Sequence, residues 1–147
     1  MKFWKLALAF SFSFFLAPLS SQAGSGKAIV PQWGSAGSSL VTQILVSNIT
    51  NHYLAVGVVF YGQNGSPVTN GVVYNNLSNN TIIAPNNSAY VQIQNQPSLS
   101  YGYAIINWQN QGSDNDAIGL VAQAFRDNNN GGVYSEASIP INNGLPF

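Results

Sequence analysis

An all-β fold, an antiparallel sandwich of two sheets and seven to nine strands, is predicted by three features of this 147-residue chain. Apolar and polar residues alternate over short runs. Clusters of Asn, Gly, Pro and Ser interrupt those runs at close intervals. No segment shows a 3.6-residue apolar period with caps at its ends.

The first element is an address rather than a strand. Lys2 and Lys5 precede an apolar run from Leu6 to Leu19, and Ser21 and Ala23 supply small residues at the −3 and −1 positions of a signal-peptidase site. The run falls short of the ~20 apolar residues that span a bilayer. Residues 1–23 therefore read as a secretory signal and 24–147 as one sandwich domain, exported to the extracellular space, the cell surface or the periplasm. No later apolar stretch is long enough for a membrane helix.

The strands follow in order. "IVPQW" at Ile29–Trp33 and "LVTQILVSNI" at Leu40–Ile49 open the domain. In the next run Leu54, Val56, Val58 and Phe60 alternate with smaller or polar-tipped residues, which makes the even set the core face. "AYVQIQN" turns Ala89, Val91 and Ile93 to one side. "YGYAIINWQ" and "AIGLVAQAF" are apolar on both faces, as central strands are, and Ile106 joins the expected core. "GVYSEASIPI" gives a last strand, confined to an edge by Pro140. Asn64-Gly65 and Asn70-Gly71 predict two-residue type I′ turns.

The stretch "VSNITNHYLAVGVVFYGQNGSPVT" resembles the second and third strands of small secreted bacterial immunoglobulin-like or fibronectin-like sandwiches. The matching residues are Asn48 and Thr50 in the loop, Phe60 and Tyr61 at the strand end, and Gly65, Pro67 and Val68 in the hairpin. The resemblance implies a structural or adhesive role without catalysis. The cysteines of antibody domains are absent.

Charge narrows the partners. After loss of Lys2 and Lys5 the domain keeps two cations, Lys27 and Arg126, against four acids, Asp114, Asp116, Asp127 and Glu136. That formal charge of −2 argues against nucleic acid, whose phosphates need several Lys or Arg, and against a polybasic membrane contact. With no cysteine, thiol catalysis, Cys-zinc sites and disulfides are excluded. The single histidine, His52, lies in the turn "ITNHY", no G-x-S-x-G elbow is present, and no enzyme activity is expected. Sequons at Asn48, Asn76, Asn79 and Asn86 are what an Asn-rich chain produces by chance.

Three candidate sites remain. Asp114, Asp116, Asp127 and Asn129 lie in oxygen-rich loops and offer hard ligands for calcium, although neither loop has EF-hand spacing. Tyr101, Tyr103 and Trp108 would stack against a glycan if their rings were exposed; the plainer expectation places Trp108 in the core. The segment containing Ala28, Ile29, Val30 and Trp33 follows a Gly-Ser lead and would fill a neighbouring copy's sheet edge, unless it forms the domain's own first strand. The functional expectation is a secreted structural or adhesive subunit that pairs with itself at strand edges, with a monomeric module for glycan or calcium as the alternative.

Overall fold

The computed structural model describes residues 24–147; the export signal read over 1–23 lies outside the described residues. Among the described residues ten strands form two antiparallel sheets of five. The first sheet orders β1 (Ser25–Ser35), β8 (Ser100–Asn110) and β3 (Leu54–Gly62), and β3 then pairs at one end with β4 (Pro67–Val68) and at the other with β6 (Ile82–Ile83). The second orders β10 (Val133–Ile139), β9 (Leu120–Asn130), β2 (Leu40–Asn48), β7 (Ser88–Ile93) and β5 (Val72–Asn75). The count exceeds the seven to nine expected because β4 and β6 are two-residue pieces, too short for periodicity to register.

The alternation sets the core as read. Leu54, Val56, Val58 and Phe60 are buried, as are Val91, Ile93 and Ile106. β8 and β9 lie inside their sheets, and β10 is an edge that stops before Pro140. Trp33 meets Phe60 edge to face, ring centroids 5.9 Å apart at 86°. Its indole Nε1 donates to the carbonyls of Tyr61 at 2.9 Å and Tyr103 at 3.1 Å, so a large buried ring also satisfies its polar atom. Thr42 Oγ1 accepts from Gly34 N–H at 2.9 Å and donates to Gly34 O at 2.8 Å, tying the end of β1 to the opposite sheet.

The turns differ from expectation. In both Asn-Gly pairs only the glycine has positive φ, so neither is a type I′ turn. The β3–β4 connection runs instead through residues 63–66, closed by Gly62 N–H to Ser66 O at 2.9 Å. The tight two-residue turn is Gly131-Gly132 between β9 and β10, with φ of 62° and 88°. Every non-glycine residue described with positive φ is an asparagine, from Asn76 to Asn143. Asn tolerates the left-handed region better than other side chains. Much of the chain's asparagine is therefore turn chemistry rather than ligand chemistry.

Candidate functional site

The expected calcium ligands do not converge. Asp114 and Asp116 sit in the β8–β9 loop at one end of the sandwich. Asp127 and Asn129 lie near the far end of β9, Asp127 being seven residues beyond Leu120, roughly 23 Å at the rise of a strand. Asp127 instead accepts from the Gln43 amide at 3.1 Å, and Asn129 N–H bonds Ser39 O at 2.7 Å. Among the described residues no group of three His, Cys, Asp or Glu side chains is placed to hold a metal ion. The four residues do not share one site, because the β9 run separates two loops that look alike in sequence.

What Asp114 and Asp116 do is clamp His52. Nδ1 lies 2.9 Å from Asp116 Oδ2, and Nε2 is 3.6 Å from Asp114 Oδ1. The loop that aims the histidine is built on Asn48, whose amide donates to the carbonyls of His52 and Ala84. The opposite loop is fixed by the Asn110 amide on Asp116 O at 3.2 Å. The hydrogen bond to Asp116 raises the His52 pKa above 6.5, the charges of both aspartates add to this, and desolvation opposes it. A pKa raised on folding stabilises fully below the unfolded value near 6.5 and loses that contribution as pH rises through the folded value. His52 is exposed and the two aspartates are half-buried, so solvent screens the interaction and the stability effect is small. In an NMR titration His52 should give up its proton above pH 6.5, and Asp116→Asn should return the midpoint toward 6.5. A midpoint unmoved by Asp116→Asn would contradict the clamp.

The aromatic candidates divide by face. Trp108 is 2% exposed and points into the core, so it offers no ring to a glycan. Tyr101 and Tyr103, with the opposite parity on β8, are exposed on the outer face of the first sheet. Sequence reading did not include Tyr61, which pairs with Tyr103 across strands and stacks on it, centroids 5.0 Å apart and planes within 8°. The outward parity of Tyr61 on β3 was the signal for it. The next row across the sheet is apolar as well: Ile29, Ile105 and Val59.

The expected assembly segment is corrected in its role. Ala28, Val30 and Trp33 are buried in this chain's own core, and β1 pairs with β8 over its length, apart from a bulge between Val30 and Trp33. The segment is the first strand, and only Ile29 of the four residues faces outward. A different edge is open.

Four strand edges border the two sheets, and they are defended unequally. β4 and β6 have two residues each, and β5 has four. β1 is long but carries Lys27, Pro31 and its bulge, three devices that discourage edge pairing. β10 has none of them. It runs seven residues without a register shift, and Val133 to Ser138 are exposed on both faces. Its one charged side chain, Glu136, stands opposite Asp127, a like-charge pair that does not stabilise the hairpin. The type I′ turn makes Asn130 and Val133 the first hydrogen-bonded pair. Alternation then points the backbone N–H and C=O of Tyr134, Glu136 and Ser138 away from β9, into the open.

Among the described residues no helix is long and apolar enough to cross a membrane. No family model matches the chain, and no match to it emerges among curated proteins or solved structures, so its function is argued from the edge and the face just described.

Proposed function

We propose that this chain is an exported, non-enzymatic structural or adhesive subunit that pairs with a second copy of itself through the open edge of β10. The observation that carries the reading is the contrast between β1, a long edge with Lys, Pro and a bulge, and β10, a long edge with none of them. An undefended edge offers unpaired N–H and C=O groups in a row, which a second extended strand satisfies. The signal read over residues 1–23 supports work outside the cytosol, and the domain's few charges put little repulsion between copies. Two β10 strands meeting antiparallel form a two-fold contact in which the same patch serves both copies. Such a contact closes at a dimer and joins two five-stranded sheets into one.

The test uses Glu136→Pro. This position points its N–H outward, so proline removes a donor from the open edge without removing one from the β9 ladder. Light scattering of the exported protein over a concentration series should show dimers. Glu136→Pro should be monomeric with a melting temperature close to the parent's. A parent protein that stays monomeric at all concentrations, or a Glu136→Pro protein that assembles equally well, would overturn the reading.

A further inference from the structure

The outer face of the first sheet is more apolar than the fold needs. An antiparallel sheet with one face in water normally turns polar residues outward. Here β8 and β3 turn out Tyr101, Tyr103, Tyr61, Ile105 and Val59, and no part of this chain's second sheet covers them. An exposed apolar patch of this kind marks a contact surface.

From this face we infer a binding platform for a neutral polysaccharide chain. The surface is ordered in rows by the strand register. Tyr103 and Tyr61 form one row, with Pro67 opposite Tyr61 on β4. Ile29, Ile105 and Val59 form the next. The rows beyond are polar: Lys27, Asn107 and Gly57, then Ser25, Gln109 and Ala55. One half of the platform is thus aromatic and aliphatic, and the other presents amides and a hydroxyl.

That division matches the chemistry of a sugar chain. Pyranose rings present C–H faces that lie against aromatic and aliphatic side chains, and hydroxyl edges that need neutral donors and acceptors. Asn107 and Gln109 each supply both kinds of group on one amide. Tyr61, Tyr103 and Tyr101 join an apolar ring to a polar tip, and a ring with two side-chain torsions loses little freedom when a ligand covers it. At Gly57 a Cβ would meet nothing within 4 Å, so the missing side chain leaves a shallow dip beside Asn107. From Tyr101 to Gln109 the platform runs about 26 Å at the rise of a strand, long enough for several sugar units.

Charge selects neutral glycans. Lys27 is the only charged side chain in these rows, and none is acidic. One cation is too little for a polyanionic chain, and the lack of acids gives a polycation nothing to pair with. A second copy of this protein is disfavoured as the occupant, because the amide half would bury polar groups against an identical surface without assured partners.

The platform is independent of the β10 edge and is tested apart from it, in the monomeric Glu136→Pro background as well as in the parent. The probes are insoluble cellulose, chitin, a β-1,3-glucan and an α-glucan, with retention measured by depletion from solution. Retention on at least one is expected. Tyr103→Ala should weaken it about tenfold, as befits the loss of one aromatic contact, while Tyr103→Phe keeps the ring and should restore most of it. The melting temperature of each variant checks that the sheet is intact. Lack of retention on every probe, or equal retention by Tyr103→Ala, would overturn the proposal. So would a change in oligomeric size on Tyr103→Ala without a change in glycan retention, which would make the face a protein interface. Retention in the Glu136→Pro monomer would leave the platform standing even where edge pairing fails.

Discussion

Phe60→Ala should lower the folding free energy by about 3–5 kcal/mol, the usual loss for a buried phenylalanine. Phe60 is 1% exposed and lies near the end of β3, paired with Ala104 on β8 and with Val68 on β4. Removing the ring leaves a cavity that the small Ala104 side chain does not fill. It also ends the edge-to-face contact with Trp33, an arrangement contributing about 0.5–1.5 kcal/mol beyond burial. Trp33 cannot move in to compensate, because its Nε1 is tied to two backbone carbonyls on β3 and β8. Domains of this size are stable by about 5–15 kcal/mol, so one substitution removes a large fraction. Tyr61→Ala, one residue along and facing outward, should cost much less. Urea denaturation of the two variants side by side reads the difference. Equal midpoints would mean that β3 presents its other face to the core.

That pair of neighbours shows what the sequence made legible. Leu54 to Phe60 alternate cleanly, and a period of two assigns faces without any knowledge of partners. The same parity on β8 separates Tyr101 and Tyr103 from Ala104, Ile106 and Trp108, so Trp108's place in the core was readable beside the tyrosines it was grouped with. β8 and β9 were recognisable as inner strands because both their faces are apolar. What the sequence did not show depends on register between distant segments. Tyr61 and Tyr103 stack only because β3 and β8 pair in one particular alignment. Likewise, "SDND" and "RDNNNGG" read alike as oxygen-rich loops, and only the direction of β9 sends them to opposite ends. The type I′ turn was misplaced for a related reason. Asn-Gly permits positive φ at both residues but does not require it, whereas Gly131-Gly132 takes it at both. β10's open edge was foreseen as an edge from Pro140, but its lack of defence appears only beside β1's Lys27, Pro31 and bulge.

Asn48 is the residue whose structural weight the sequence concealed most, and its replacement should be nearly as severe as that of Phe60. The motif Asn48-Ile49-Thr50 reads as a turn or a glycosylation acceptor, yet Asn48 is 2% exposed. Its amide nitrogen donates to His52 O at 2.7 Å and Ala84 O at 3.0 Å. Its Oδ1 accepts from both the N–H and the hydroxyl of Thr50, each at 2.9 Å. One side chain therefore satisfies polar groups of the β2–β3 loop and the β6–β7 connection. Asn48→Ala leaves Thr50 N–H without a partner and takes one hydrogen bond each from the carbonyls of His52 and Ala84, which keep Thr50 Oγ1 and Asn87 N–H. One buried group left unpaired costs about 1–3 kcal/mol, and each hydrogen bond lost from a carbonyl that keeps another donor about 0.5–1.5 kcal/mol, so the loss should be roughly 2–6 kcal/mol. Asn48→Asp separates hydrogen bonding from size. The oxygen that serves Thr50 is kept, but a carboxylate oxygen now faces the carbonyls of His52 and Ala84. Burial and the two facing carbonyls should disfavour the charged carboxylate more than the two Thr50 donors favour it, which would raise the folded pKa above the unfolded value near 3.9. Stability of Asn48→Asp should therefore fall as pH climbs above about 4, since the unfolded chain gives up its proton more readily. Thermal melts from pH 4 to 8 should show that decline in Asn48→Asp, beginning near pH 4, and in the parent only the small His52-linked loss above pH 6.5. A flat profile, or an Asn48→Ala protein that melts with the parent, would mean that the loop holds its shape without this side chain.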